Sequence, residues 1–157
     1  MRAFVLAAFC LAFAAMPSFA QESHDAPENW IIARAAGGVL GYDAESFKRG
    51  DKGDRVSGET ILYFDTLKSA HGVAYRYQLR NLTFDCKGHR FRIDDAVALD
   101  DNAILLDVLG MPDSLWHKAS GGADLQFYRV ACEHAALKQS KSVGVLETML
   151  QRARTLK

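Results

Sequence analysis

The stretch that decides the fold is YRYQLRNLTFDCKGHRFRI, residues Tyr75–Ile93. Lys87-Gly88 is typical of a two-residue hairpin turn, because glycine reaches positive φ without steric cost. A turn there sorts the flanking residues into one apolar and one charged face, as a half-buried antiparallel pair requires. The apolar face pairs Cys86 with His89, Phe84 with Phe91 and Leu82 with Ile93, and the charged face pairs Asp85 with Arg90 and Thr83 with Arg92.

Upstream of this hairpin the alternation changes phase. Tyr77 and Leu79 are apolar and alternate with polar residues, so the apolar parity switches between Leu79 and Leu82. The switch predicts a β-bulge or bend near Arg80-Asn81. The alternative is a strand that begins only at Asn81.

The composition is that of a single globular domain with no excess of charge. The chain has 157 residues, 49% of them hydrophobic, and a formal net charge of zero. The first twenty residues hold one basic and no acidic residue, so removing them leaves 18 basic against 19 acidic residues. Nucleic acids and anionic membranes attract an excess of positive charge, so we expect neither as a general partner.

Residues 1–20 have the three parts of a secretory signal peptide: Arg2, the apolar run Ala3–Ala15, and the small-x-small site Ser18-Phe19-Ala20. The alternatives are a buried N-terminal helix or a membrane anchor, but the run is shorter than the ~20 residues that span a bilayer. Cys10 lacks the preceding residues of a lipidation site, so we expect no stable membrane anchor. We therefore predict cleavage after Ala20 and export to the periplasm or cell surface, with residues 21–28 as a flexible mature N-terminus.

The remaining pattern predicts an α+β fold with about six antiparallel strands, most of them paired with their sequence neighbours. A second hairpin is expected around Gly37-Gly38, an exposed connection over Glu45–Gly58, a strand over Glu59–Thr66, a loop over Leu67–Gly72, and a turn at Asp100-Asp101-Asn102 between two further strands.

One or two helices are expected to follow the sheet. Ala123–Leu137 is predicted to be helical, with Leu125, Tyr128, Cys132 and Ala135 forming the stripe that faces the sheet. After a polar break at Lys138–Ser142, a second amphipathic stripe comprises Leu146, Met149, Leu150, Ala153 and Leu156. This second stripe covers either the sheet of its own subunit or a second copy, which would give a homodimer.

Cys86 and Cys132 are the cysteines that remain after removal of residues 1–20. In an oxidising compartment they have one pairing, and both lie on predicted apolar faces. A bond between them closes a long loop and would stabilise the fold by about 4 kcal/mol in the chain-entropy model. The alternative is a reactive thiol in Cys132-Glu133-His134, but residues two apart on a helix point in different directions.

The order of several short motifs resembles the bacterial surface-adhesin protein E family over roughly residues 29–133, within a domain predicted to span residues 29–137. The motifs are Trp30, Tyr42-Asp43-x-x-Ser46-Phe47, Tyr75-Arg76, Asp85-Cys86, the basic strand Arg90–Ile93, Trp116 and Arg129-Val130-Ala131-Cys132. The resemblance implies an antiparallel sheet with a C-terminal helix tethered to it by the Cys86 to Cys132 disulfide. It also implies binding of host proteins at the cell surface. Residues 138–157 are predicted to be a helical extension beyond this domain.

Catalytic, metal and cofactor motifs are not found in the sequence, and we predict no catalytic residue, no metal site and no cofactor. Neither the Asp-rich turns nor the histidines have the spacing of a calcium loop or a zinc site. The histidines are His24, His71, His89, His117 and His134.

The arginines on the polar face of the central strands are the main candidate for a functional surface. Arg76, Arg80, Arg90 and Arg92 are predicted to form an outward surface that docks an acidic protein partner. The alternative is a solvated sheet face with modest cross-strand ion pairs. We therefore predict an exported, non-catalytic binding domain with an unknown protein partner. A small periplasmic enzyme or accessory factor that uses a groove on the sheet is the alternative.

Overall fold

A computed structural model describes residues 27–110 and 115–156 of the chain. The predicted signal peptide, residues 1–20, and most of the predicted flexible segment lie outside the described residues. The elements are β1 Trp30–Ala35, β2 Gly38–Asp43, β3 Lys48–Arg49, β4 Arg55–Ala70, β5 Val73–Asp85, β6 Arg90–Leu99, β7 Leu105–Gly110, β8 His117–Lys118, α1 Gly122–Glu133, β9 Lys141–Gly144 and α2 Leu146–Thr155.

All strands of the described chain belong to one antiparallel sheet in the order β7-β6-β5-β4-β2-β1-β9, with β3 beside β4 and β8 beside β6. The α+β class is confirmed, but the described sheet has nine strands rather than about six. The six longest strands contain all the segments that the sequence predicts as strands, but Val97–Leu99, predicted as a further strand before the Asp100 turn, is the end of β6. The extra strands β3, β8 and β9 are only two to four residues long, and such lengths carry no detectable alternation.

The central hairpin has the predicted register. Leu82 pairs with Ile93, Phe84 with Phe91, and Asp85 with Arg90. The turn, however, spans the four residues 86–89, and the positive φ of 51° belongs to His89 rather than to Gly88. A Cβ at Gly88 would lie 2.5 Å from a carboxylate oxygen of Asp85, so a larger residue there would require this side chain to shift.

The change of phase along β5 has an unexpected cause. β5 pairs with β4 without interruption from Tyr77 to Asp85, so it contains no bend near Arg80-Asn81. The irregularity lies on the neighbouring strand, where Asp94 of β6 is an extra residue between the pairs Leu82 with Ile93 and Asn81 with Asp95. The predicted bulge therefore exists at this level of the sheet, but β6 carries it.

The two apolar sets of β5 face opposite sides of the sheet. Leu82 and Phe84 lie in a core with Phe127 and Tyr128 of α1. Tyr77 lies in a second core with Met149 and Leu150 of α2. The parity switches because each helix covers one half of the central strands, on opposite faces.

Several predicted boundaries are wrong. The connection predicted over Glu45–Gly58 is exposed at most of its residues, but residues 48–49 belong to β3 and residues 55–58 to the start of β4. The loop predicted over Leu67–Gly72 continues β4 to Ala70 and leaves a two-residue turn. The first helix ends at Glu133 instead of Leu137, because His134 adopts a left-handed conformation with φ 53°.

The predicted apolar stripe of the second helix agrees with the structure better than that of the first. The face of α1 that is buried comprises Phe127, Tyr128 and Ala131, whereas Leu125, Cys132 and Ala135 are only half-buried. The second stripe is confirmed at Met149, Leu150 and Ala153, which pack on the sheet of their own subunit.

The disulfide between Cys86 and Cys132 is confirmed, with Cα atoms 5.3 Å apart. It joins the turn after β5 to the last turn of α1, so the first helix is tethered to the sheet as predicted. Residues 138–156 contribute β9, which pairs with β1, and α2, which completes the second core. Within the described ranges, no helix is long and apolar enough to cross a membrane.

Candidate functional site

Among the described residues, no helix covers the opposite face of the half-sheet beneath α1, and we call this surface the open face. On the covered side Val56, Phe84 and Phe91 are neighbours across three strands and lie in the core beneath α1. Because side chains alternate along each strand, the residues between them point the other way. The open face therefore carries three cross-strand rows. The first row is Arg55, Asp85, Arg90 and Lys118, the second is Ser57, Thr83 and Arg92, and the third is Glu59, Asn81 and Asp95.

Trp116 lies at the edge of the open face within a cluster of arginines. The guanidinium carbons of Arg55, Arg90 and Arg92 lie 5.5, 5.0 and 5.5 Å from the centroid of its ring. These distances are within the range of cation–π attraction, for which tryptophan is the best aromatic partner. We call Arg55, Arg90, Arg92 and Trp116 the Arg–Trp cluster.

Local backbone structure brings these four residues together. β8 pairs with the start of β6, with Lys118 opposite Arg90 and His117 opposite Phe91. Trp116 directly precedes this short strand and is half-buried. The two-residue β8 therefore holds the indole beside the basic row.

Two carboxylates orient two of the arginines. Nε of Arg90 donates to Asp85 at 2.7 Å, and Nε of Arg92 donates to Asp94 at 2.8 Å. Asp85 also accepts the backbone N–H of Gly88 at 2.9 Å. The Gly88 N–H and the Arg90 guanidinium together lower the pKa of Asp85 below its ordinary value, so it remains ionised.

The cluster keeps an excess of positive charge. Within the described part of the chain, no carboxylate lies within ion-pair distance of Arg55. Three guanidinium charges therefore face two carboxylate charges, and Lys118 adds another positive charge to the same row. Arg90 and Arg92 also remain accessible, with 46% and 35% of their side-chain surfaces exposed.

A groove extends the open face away from the cluster. It encloses about 440 Å³ and is lined in part by Lys48, Ser57, Glu59, Asn81 and Asp94. Carboxylates dominate its charged lining, so the open face is positive at the Trp116 end and negative at the other. A partner of matching polarity would be fixed in one orientation.

The structure separates the four arginines that the sequence predicted as one surface. Arg90 and Arg92 lie together, as expected. Arg80 points to the opposite face, where it is 5% exposed beneath α1 and donates to Asp124 at 2.9 Å. Arg76 lies nine residues from Asp85 along β5, or about 30 Å, and it donates to the backbone oxygen of Asp65.

Sequence reasoning missed Arg55 and Trp116 as members of the site. Arg55 falls in the segment predicted to be an exposed connection, so its place opposite Asp85 was not expected. An available signal was the alternation Arg55-Val56-Ser57-Gly58, which continues the strand backwards from Glu59. For Trp116, a lone aromatic residue in a short segment gives no periodic signal.

The disulfide lies behind the open face and has a supporting hydrogen-bond network. The hydroxyl of Tyr128 donates to the backbone oxygen of Cys86 at 2.7 Å and lies 3.1 Å from Nδ1 of His89. Burial raises the pKa of Tyr128, so this phenol stays protonated and continues to donate. Among the described residues, no group of three or more His, Cys, Asp or Glu side chains is placed to hold a metal ion.

Comparisons of this chain with protein-family models, with curated proteins and with solved structures found no match. The geometry of the open face is therefore the basis for assigning a function.

Proposed function

We propose that the protein is an exported, non-catalytic binding domain that captures an acidic segment of another protein through the Arg–Trp cluster. The observation that carries the proposal is the placement of three guanidinium groups around the half-buried Trp116 at the edge of the open face. Arginine and tryptophan are, with tyrosine, the residue types most enriched among those that dominate the binding energy of protein interfaces.

The orientation of the guanidinium groups favours a carboxylate ligand. Among the described residues, the hydrogen bonds of Arg90 and Arg92 use only Nε, to Asp85 and Asp94. The terminal nitrogens keep four N–H donors on each side chain, and this pair of nitrogens matches the two oxygens of a carboxylate. The aspartates thus fix the arginines, and no described residue accepts a hydrogen bond from their terminal nitrogens.

The tryptophan contributes in two ways. Its ring restricts the three arginines before a partner arrives, so less side-chain entropy is lost on binding. Its own apolar surface provides contact area for an aliphatic or aromatic side chain beside the partner's carboxylates. We therefore expect the recognised segment to combine acidic residues with at least one large apolar residue.

The predicted export supports this function. A disulfide forms and persists in oxidising compartments, where the Cys86 to Cys132 bond would be stable. The resemblance to the surface-adhesin protein E family implies the same class of function, namely binding without catalysis.

The experiment that tests the proposal uses Trp116 as a fluorescent reporter. The chain has two tryptophans, and Trp30 is 1% exposed, so a Trp30→Phe variant isolates the signal of Trp116. Peptides rich in Asp and Glu with one aromatic residue are titrated, together with matched peptides in which every acid is replaced by its amide. We expect saturable quenching by the acidic peptides only, with an affinity that falls as salt is raised.

Two paired substitutions complete the test. Arg90→Ser with Arg92→Ser should weaken binding of the acidic peptides about tenfold or more and flatten its salt dependence. Arg129→Ser with Arg152→Ser removes the same charge from exposed helix positions and should leave binding unchanged. Equal binding of the acidic and amide peptides, or equal loss in both double variants, would contradict the proposal.

A further inference from the structure

The turn between β5 and β6 contacts two of the strands that place the Arg–Trp cluster. At the start of the turn, the backbone N–H of Cys86 donates to the oxygen of Asp54 at 2.9 Å, directly before Arg55 in the chain. At its end, the N–H of Ala119 donates to the oxygen of His89 at 3.2 Å, and Ala119 directly follows β8. The turn therefore adjoins both the strand of the first arginine and the short strand that holds the indole.

The same turn orients the arginine at the centre of the cluster. The N–H of Gly88 donates to the carboxylate of Asp85 at 2.9 Å, and this carboxylate accepts Nε of Arg90 at 2.7 Å. A turn that moved would withdraw the Gly88 donor from the carboxylate. The guanidinium group of Arg90 would then lose its fixed orientation on the open face.

Contacts from α1 hold this turn in place. Residues 87–89 are exposed, so their own packing contributes little, and the φ of 51° at His89 is a conformation that residues other than glycine rarely adopt. Two links to the helix meet at Cys86. Its sulfur is bonded to Cys132, and its backbone oxygen accepts the hydroxyl of Tyr128 at 2.7 Å.

The helix itself does not depend on the disulfide for its position. Phe127, Tyr128 and Ala131 are buried in the core beneath α1, whereas Cys86 and Cys132 are only half-buried. A reductant can therefore reach the sulfurs at the edge of the domain while the apolar face of the helix stays packed. Opening of the bond would then loosen the turn more than the helix.

We propose that the disulfide between Cys86 and Cys132 is a redox control of partner binding. The Arg–Trp cluster is preorganised for an acidic segment while the bond is intact, and its affinity falls when a dithiol reduces the bond, because the freed turn must be ordered again on binding. This inference rests on the proposed function of the cluster and adds a regulation of the same site.

The chemistry is an ordinary thiol–disulfide exchange. A thiolate of the dithiol attacks one of the two sulfurs and forms a mixed disulfide, and the second thiol of the reductant then displaces the protein sulfur. The dithiol is oxidised to a disulfide. Cys86 and Cys132 receive its two electrons and two protons and become thiols.

Titration of the Trp30→Phe protein with the acidic peptides, before and after treatment with dithiothreitol, tests the proposal. We expect the reduced protein to bind about fivefold more weakly or less, and reoxidation with oxidised glutathione to restore the affinity. Cys86→Ser with Cys132→Ser in the same background should bind as weakly as the reduced protein, with or without dithiothreitol. Far-UV circular dichroism verifies that each form is folded during the titration.

Tyr128→Phe tests the turn without breaking the disulfide. It removes the hydrogen bond to the Cys86 oxygen and should weaken binding of the acidic peptides about twofold or more. Tyr77→Phe is the matched control, because its hydroxyl also donates to a backbone oxygen, that of Leu150 at 2.9 Å, but in the second core. It should leave binding unchanged.

The outcomes separate this inference from the proposed function. An oxidised protein that does not bind the acidic peptides contradicts the proposed function and its regulation together. Binding of equal affinity by the oxidised protein and the folded, reduced protein overturns the redox control alone. If reduction unfolds the chain, the tyrosine variants decide, and equal affinities of Tyr128→Phe and Tyr77→Phe overturn the control.

Discussion

At the residue scale, Gly38 shows how closely two strands approach. A Cβ at this position would lie 1.8 Å from the backbone oxygen of Tyr63 on β4. Backbone atoms cannot move aside as a flexible side chain can, so Gly38→Ala should destabilise the protein by at least about 2 kcal/mol. Gly121→Ala is the control, because nothing lies within 4 Å of a Cβ there. Urea unfolding measures both, and equal stabilities of the two variants would contradict the close approach.

A second prediction concerns the charge buried beneath α1. Arg80 is almost fully buried and donates to Asp124, which is about one-third exposed. Asp124→Asn removes the compensating charge and should lower the free energy of unfolding by about 2 kcal/mol, less than for a completely buried pair. On the same helix Glu133→Gln breaks an exposed pair 3.9 Å from Arg129 and should cost at most about 0.5 kcal/mol.

Chemical denaturation of the two helix variants distinguishes these roles. If Glu133→Gln lowers the free energy of unfolding as much as Asp124→Asn does, the contact between Arg80 and Asp124 is no stronger than an ordinary surface ion pair.

The same residues show how far sequence reasoning reaches into the site. Arg90 and Arg92 were predictable because a two-residue period fixes which side chains share a face. Arg80 follows that same period but is buried. Its long apolar stem and its position over the Phe127 ring, 5.7 Å from the guanidinium carbon, allow a charge to lie under a helix. No local pattern reports which face of a sheet a helix will cover.

At the element scale, the disulfide holds α1 on the sheet. Cys86→Ser with Cys132→Ser should lower the free energy of unfolding by about 4 kcal/mol, because the unfolded chain loses its cross-link. Dithiothreitol should lower the stability of the wild-type protein by a similar amount and leave the double variant unchanged. A wild-type protein whose urea midpoint is insensitive to reductant would show that the bond contributes little.

Elements were predictable where the pairing chemistry is explicit. In the central hairpin, Asp85 opposite Arg90 and Phe84 opposite Phe91 determine the register, and the structure has both pairs. The strands β3, β8 and β9 were not predictable, since long-range pairing defines them rather than their own sequences. The bulge at Asp94 was expected one strand away, because the phase change in β5 was attributed to its own backbone.

At the scale of the whole molecule, carboxylates with lowered pKa values set the response to acid. Backbone N–H groups of Ile104 and Asn102 lower the pKa of Asp100, and the Gly88 N–H and Arg90 lower that of Asp85. Both groups bind protons less readily in the folded state than in the unfolded state. Their contribution to stability is therefore complete above the ordinary aspartate pKa of about 3.9 and is lost as pH falls below it.

Urea unfolding between about pH 2.5 and pH 5 measures this dependence. The wild-type free energy of unfolding should fall with decreasing pH, and Asp85→Asn with Asp100→Asn should make the decline shallower. A double variant with an unchanged slope would place the acid response in other groups.

The coverage of the sheet by two helices on opposite sides has a consequence for how the chain tolerates mutation. In the first half of β5, polar replacements should be harmful at the odd-numbered positions Tyr77 and Leu79, which face the second core. In the second half they should be harmful at the even-numbered positions Leu82 and Phe84, which face the core beneath α1. A saturation scan would thus show its sensitive positions changing phase near Arg80, on a strand whose pairing with β4 is continuous there. An inspection of substitution profiles alone would divide this strand in two.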